Sequence, residues 1–290
     1  MLFMLGAVAT LSVLDVALKR LGESYPPMQV TFLRGAASLP ALLAAIGLLG
    51  RWQDLRAQRW SLHVLRSVLS VATLGCFVYS VSLLSLGDTY AIFMCAPLLI
   101  TALSVPLLGE RVDRRGWLAV GVGLAGTLIV LRPSGTGLVT LGGLAALGAA
   151  TGYALSALTI RALVRTETSS ATLVWSLVGM TLISSAIALP NWQPLQWRDA
   201  HWIAILGMAG ALGQHFMTQA FRRAAPAVLA PLEYTALGWG MLFDWLLWTV
   251  APNARMLSGA AVIIASGLYI LHREARRATH PQAETAEATS

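Results

Sequence analysis

Glu233 stands between Leu232 and Tyr234 inside a long apolar stretch, about seven residues in from its basic end, on the order of 10 Å deep at about 1.5 Å per residue. A carboxylate at that depth is expensive and asks for a task. Binding a cationic or amine group and carrying a coupling proton are two such tasks, and a plain hydrogen bond to a neighbouring helix is the alternative. Gln214 and Thr218 share one helical face, and His215 and Gln219 the adjacent one. Four polar groups in two turns must face a bundle interior or a wet cavity. His215 can titrate near neutral pH and couple protons, or simply hold a hydrogen bond. Asp15 and Lys19 lie one turn apart, and Arg34 enters the next apolar stretch from the same side. They can form a structural ion-pair cluster, a gate or a contact for an anionic solute. Asp244 is equally open between such roles. Tyr79, Tyr153, Tyr234, Trp175 and Trp239 offer amphipathic rings for a pocket wall or ordinary packing.

Other chemistry is excluded by pattern. No Gly-x-x-x-x-Gly-Lys-Ser/Thr loop is present to cradle a nucleotide, and no His-Glu-x-x-His helix to hold zinc. Neither a metal nor another cofactor is expected. Cys76 and Cys95 lie in apolar segments and read as buried thiols.

The elements that must position these groups follow from composition. Of 290 residues, 57% are hydrophobic and 11% charged, with a mean hydropathy of +0.69, against about 25% charged in a soluble domain. This is an all-α membrane protein. Ten apolar segments can be read, at about 2–18, 27–49, 62–86, 89–108, 115–131, 137–160, 170–189, 201–221, 226–250 and 256–271. Without water in the hydrocarbon, segments of this length must be helices. The first is apolar from Met1 without a basic leader or cleavage site, so it reads as a retained span.

Arginines fix the expected orientation. Fourteen basic residues, with Arg66 counted among them, flank one side and five the other, which places both termini in the cytoplasm. The net charge of +7 is therefore topological, and no basic patch for nucleic acid is present.

Ala96-Pro-Leu-Leu-Ile-Thr-Ala-Leu103 returns as Ala230-Pro-Leu-Glu-Tyr-Thr-Ala-Leu237, each in the fourth of five segments in its half. Self-similarity at half length marks a duplicated transporter, and an odd number of spans per half inverts the second copy. The expected architecture is ten transmembrane helices in two inverted five-helix repeats, residues 1–133 and 137–273, with a disordered cytoplasmic tail at 279–290. Pro97 and Pro231 are expected to kink their helices at matching places. Glycines at 121, 123, 126, 148 and 152 are expected to let helices approach closely.

Further runs carry a resemblance to a known family. Leu108-Gly-Glu-Arg111, Gly116-Trp-Leu-Ala-Val120 and Gly126-Thr-Leu-Ile-Val-Leu-Arg-Pro133 resemble the first repeat of EamA-type transporters of the drug/metabolite transporter superfamily. Gly213-Gln214, Tyr234-Thr-Ala-Leu237 and Gly267-Leu-Tyr-Ile-Leu271 resemble the second. Asp15, Lys19 and Arg34 match the family's opening segment. The resemblance covers about residues 1–273. It is greatest to the branch of S-adenosylmethionine and riboflavin carriers and opine-metallophore exporters. One departure stands out: where the family repeats Gly-Glu at the end of the ninth span, this chain has Thr249-Val250, which removes a repeat partner for Glu110.

The resemblance implies movement of a small organic solute across a bacterial cytoplasmic (inner) membrane. The substrate would be a small polar metabolite, amino-acid-like, metallophore, nucleoside- or vitamin-like, carried by secondary-active alternating access. A coupling proton and a homodimer are compatible with this reading. Export is the favoured direction, on family frequency, with uptake by the same class as the alternative. A membrane-embedded enzyme acting on lipid-linked substrates is a third reading, which would need paired catalytic groups near one surface. The expected substrate-binding residues are Tyr79, Tyr153, Gln214, His215, Glu233, Tyr234 and Trp239, with Asp15, Lys19 and Arg34 as gate or ion pair.

Overall fold

A chain crossing hydrocarbon must satisfy its own backbone, and this one does so with helices throughout. The structure is a computed structural model describing residues 1–48, 52–109, 112, 114–131, 140–163, 166–221, 223, 229 and 232–279. Glu110, Pro231, Arg51, Arg111, Arg132, Arg165, Arg222 and the tail beyond Thr279 lie outside the described residues.

The first half holds α1 (Leu2–Gly22), α2 (Pro27–Leu48), α3 (Trp60–Leu83), α4 (Leu86–Phe93), α5 (Ala96–Leu108) and α6 (Arg114–Leu131). The second holds α7 (Leu141–Leu163), α8 (Ser169–Ala188), α9 (Ala200–Phe221), α10 (Thr235–Trp248) and α11 (Ala254–Thr279). Because α4 and α5 together make one span, each half has five. Among the described residues, α1, α2, α3, α4 with α5, α7 and α8 are each long and apolar enough to cross a membrane.

Local chemistry sets the boundaries. Ser85 ends the apolar run after α3 by accepting the Asp88 amide at 2.9 Å, so α4 starts at Leu86 and not three residues later. The fourth span breaks at Met94 and Cys95, directly before Pro97, which has no N–H to offer the Phe93 carbonyl. Thr168 caps α8, accepting the Ala171 amide at 3.1 Å. At the C-cap of α5 the chain turns left-handed through Gly109 (φ 70°), and at the C-cap of α10 through Thr249 (φ 55°). Glycine accepts that conformation freely; a β-branched threonine is strained there. Thr249 thus does the conformational work of the glycine missing from the second repeat.

The packing repeats as the sequence does. α3 lies along α7 as α1 lies along α9, and α2 meets α9 as α8 meets α3. α2 against α8, α4 against α10 and α6 against α11 are self-paired across the pseudo-two-fold. Fully buried Leu14, Leu18, Leu86, Ile92, Leu98, Leu206 and Ile263 join both halves in one core.

Glycines work where helices cross. A methyl added to Gly126 would stand 3.1 Å from the Gly259 carbonyl oxygen, and one on Gly259 2.9 Å from the Gly126 oxygen, so α6 and α11 touch backbone to backbone. Gly123, Gly148 and Gly152 face Leu98, Cys76 and Thr73. Gly121 is the exception among the expected packing glycines: nothing lies within 4 Å of it.

Candidate functional site

Between the halves lies a cavity of about 480 Å³, within the range of small-molecule pockets. Four helices supply most of its polar lining: α2 with Arg34 and Ser38, α3 with Arg66, Ser70 and Thr73, α7 with Tyr153 and Ser156, and α9 with Gln214, His215 and Thr218. α8 adds Ser176 and an apolar wall of Leu173, Leu177 and Met180. By helix register, these positions run from mid-bundle toward the end that carries Met1.

Of the residues singled out by sequence, Tyr153, Gln214, His215 and Arg34 line this space. Gln214 and His215 are exposed to it, as expected for side chains too polar for lipid. Gln219 turns away, accepting a hydrogen bond from Arg223 at 2.5 Å. Glu233 is not on the wall, but it is exposed and close enough to interact electrostatically with Tyr153 and Tyr234. Tyr234 is buried, its hydroxyl unpaired and directed at Gly267. Trp239 packs instead with Met4, Val8 and Leu229 and borders a shallow apolar groove between α1, α9 and α10. Tyr79 is exposed and does not line the cavity. Trp175 is anchored by its Nε1–H on the Leu55 carbonyl at 2.8 Å, edge-on to Trp60.

The opening charge cluster divides in two. Asp15 accepts a hydrogen bond from Tyr90 at 2.5 Å and interacts electrostatically with Arg34. Lys19 donates to Asp244 at 3.0 Å and to the Leu84 carbonyl at 3.2 Å, with side-chain exposures of 8% and 3% for the ion pair. Asp244 also accepts the Leu86 amide at 3.0 Å and the Gly87 amide at 2.7 Å, meeting free N–H groups at the start of α4. This buried knot ties α1, α4 and α10 at the end of the bundle opposite Met1. Trp248 reinforces it, lying under Lys19 at 4.5 Å and donating to Glu23 at 2.6 Å.

Two further contacts join the halves and are mates under the pseudo-two-fold. At the Lys19 end, Tyr25 donates to Asp199 at 2.6 Å and Gln29 to the Gln193 carbonyl at 2.7 Å. At the Met1 end, Glu167 accepts the Gln58 and Arg59 amides at 2.7 and 2.8 Å, and lies 3.5 Å from His63. Burial raises the Glu167 carboxyl, but the two amides and His63 outweigh it and hold it below its ordinary value. Because these contacts are mates, they do not distinguish one end from the other. The Lys19–Asp244 knot is separate from that pair and lies at the Lys19 end; Glu110 and Arg111, the charges that follow α5 at the Met1 end, lie outside the described residues.

Sequence reasoning missed Arg66 and Tyr90. Arg66 counts there as a loop charge fixing topology, whereas it sits inside α3 and lines the cavity. The signal was its neighbours: Val64 and Leu65 before it and Val68 and Leu69 after it are apolar. Removing it from the loop tally leaves the basic bias intact.

The EamA-like transporter family model matches this chain twice, over residues 1–132 and 140–272. A riboflavin transporter of Vibrio cholerae is 27% identical over 87% of this chain and 85% of its own. A pseudopaline exporter of Pseudomonas aeruginosa is 24% identical over 89% and 90%, and an S-adenosylmethionine uptake transporter of Rickettsia prowazekii 24% over 92% and 90%. One solved crystal structure, 20% identical, superposes with a TM-score of 0.63 over 94% of this chain and 96% of that one, a likeness of fold. Two matched repeats, ten spans packed in inverted pairs and a polar cavity at their seam agree: this multi-pass membrane protein belongs to the EamA-like transporter family.

Proposed function

We propose that this chain is a secondary-active carrier of a small polar metabolite that works by alternating access. The observation supporting this is the polar cavity between the repeats, with the buried Lys19–Asp244 ion pair joining the halves at the end opposite Met1. A carrier needs a site reached from one side at a time, with closure that can be exchanged between ends. With the Met1 end taken as cytoplasmic from the basic loops, Lys19–Asp244 is proposed as the outer gate and the cavity as reached from the cytoplasm. Export is the proposed direction. Gln214 and His215 hydrogen-bond the solute. Glu233, exposed beside Tyr153, is the group that couples a proton.

Flux in proteoliposomes tests the proposal. Saturable counterflow of a metabolite supports a carrier. Ionic conductance would mean a channel, and chemical change of the solute an enzyme.

A further inference from the structure

Arg66 is 8% exposed, and its Nε and Nη1 donate to nothing. Burying a guanidinium without a partner is among the least favourable arrangements a protein can hold, and a membrane interior makes it worse. The other cavity arginine is compensated, since Asp15 lies close enough to offset Arg34. No carboxylate among the described residues does this for Arg66, and none lines the cavity. Ser38 Oγ and Thr73 Oγ1, also on the wall, are likewise buried without partners. Thr73 lies seven residues along α3 from Arg66, on the same face. The cavity wall thus carries one uncompensated cation, with Ser38 Oγ and Thr73 Oγ1 turned against Gly210 and Gly152, together with the Tyr153 ring and the apolar face of α8.

Resting on the carrier reading above, we infer that the transported solute bears a carboxylate that pairs with Arg66. The guanidinium fork offers parallel N–H donors that match the two oxygens of a planar carboxylate. Tyr153 and Leu177, on the same wall, take the less polar remainder of the solute.

The test uses the full chain in phosphatidylcholine nanodiscs, with thermal unfolding followed against matched probes. These are N-acetylphenylalanine, its amide, and phenyl phosphate. The acid should half-saturate the stabilisation at least tenfold below the amide, with phenyl phosphate weaker than the acid. R66Q should erase the acid's preference, and R66K should retain part of it. Without ligand, R66Q should unfold at the same or a higher temperature than the parent, because it removes an unpaired charge; a structural arginine would give a drop. The inference is overturned by equal response to acid and amide, by no response to either, by tighter binding of the phosphate, or by a preference that survives R66Q. Replacing a third of the lipid with phosphatidylglycerol checks the remaining source: a shift produced by that lipid and not by the acid would assign Arg66 to a headgroup. Counterflow of the amide without acid preference would leave the carrier standing and remove only the carboxylate. Acid binding without counterflow would do the reverse.

Discussion

Replacing Lys19 with methionine leaves Asp244 charged in a site where its side chain is 3% exposed. Asp244 keeps the Leu86 and Gly87 amides but loses its counter-ion, and removing one partner of a buried ion pair costs about 3–5 kcal/mol. That cost falls on the outer-closed state alone if opening the gate lets water reach the carboxylate. At about 1.4 kcal/mol per tenfold, the lower figure shifts the closed-to-open ratio by about 100-fold. The readout is a cysteine at Ser38, on the cavity wall, in a background with Cys76 and Cys95 replaced by alanine. A membrane-impermeant maleimide is added from the Lys19 side of oriented proteoliposomes. Labelling should rise at least tenfold in K19M and in D244N, and the K19M/D244N double variant should show less than the sum of the two effects. If K19M lowers the melting temperature while labelling from that side stays at the parent rate, the pair is a static staple and the gating argument fails.

Three other outcomes follow from geometry. E167Q should cost about 1 kcal/mol at pH 7, since the Gln58 and Arg59 amides lose a charged acceptor. Because the folded carboxyl titrates below its ordinary value of 4.5, the stabilisation is present above that pH and lost as pH falls through the folded value. Melting curves of parent and variant should therefore converge between about pH 5 and 3, and a gap constant with pH contradicts the assignment. T249G should stabilise by about 1 kcal/mol, because glycine adopts the φ of 55° without strain; a lower melting temperature would refute it. P97A restores an N–H across the break at Met94 and Cys95 and should slow counterflow while the melting temperature holds or rises. Equal loss of flux and of folded protein would show the break to be structural only.

The ten spans were legible because their signal is gross: about 20 apolar residues bounded by charge. The inversion came from counting, with no geometry needed. Finer boundaries depend on single hydrogen bonds, as at Ser85, where a serine acting as cap looks like any polar residue in a loop. α11 continues to Thr279, beyond its last apolar residue, because a helix that has left the membrane can still satisfy its own backbone. At the cavity, Gln214 and His215 could be placed from periodicity on α9. Tyr79 and Trp239 could not, since an aromatic ring is equally at home against lipid, core or solute, and only neighbouring helices decide. Lys19 and Asp15 are four residues apart, but they serve different partners 225 and 75 positions away. No local pattern encodes that choice.

The crossing of α6 and α11 at Gly126 and Gly259 bears on how such a machine can move. Where two main chains meet this closely, with only the stiff, β-branched Val130 and Val262 packed beside the contact, little can absorb a slide along the seam. What such a joint still permits is rotation in place. In the carrier cycle proposed above it is the axle about which the two halves swing, with a stroke that grows with distance from it, so the helices farthest from α6 and α11 travel most.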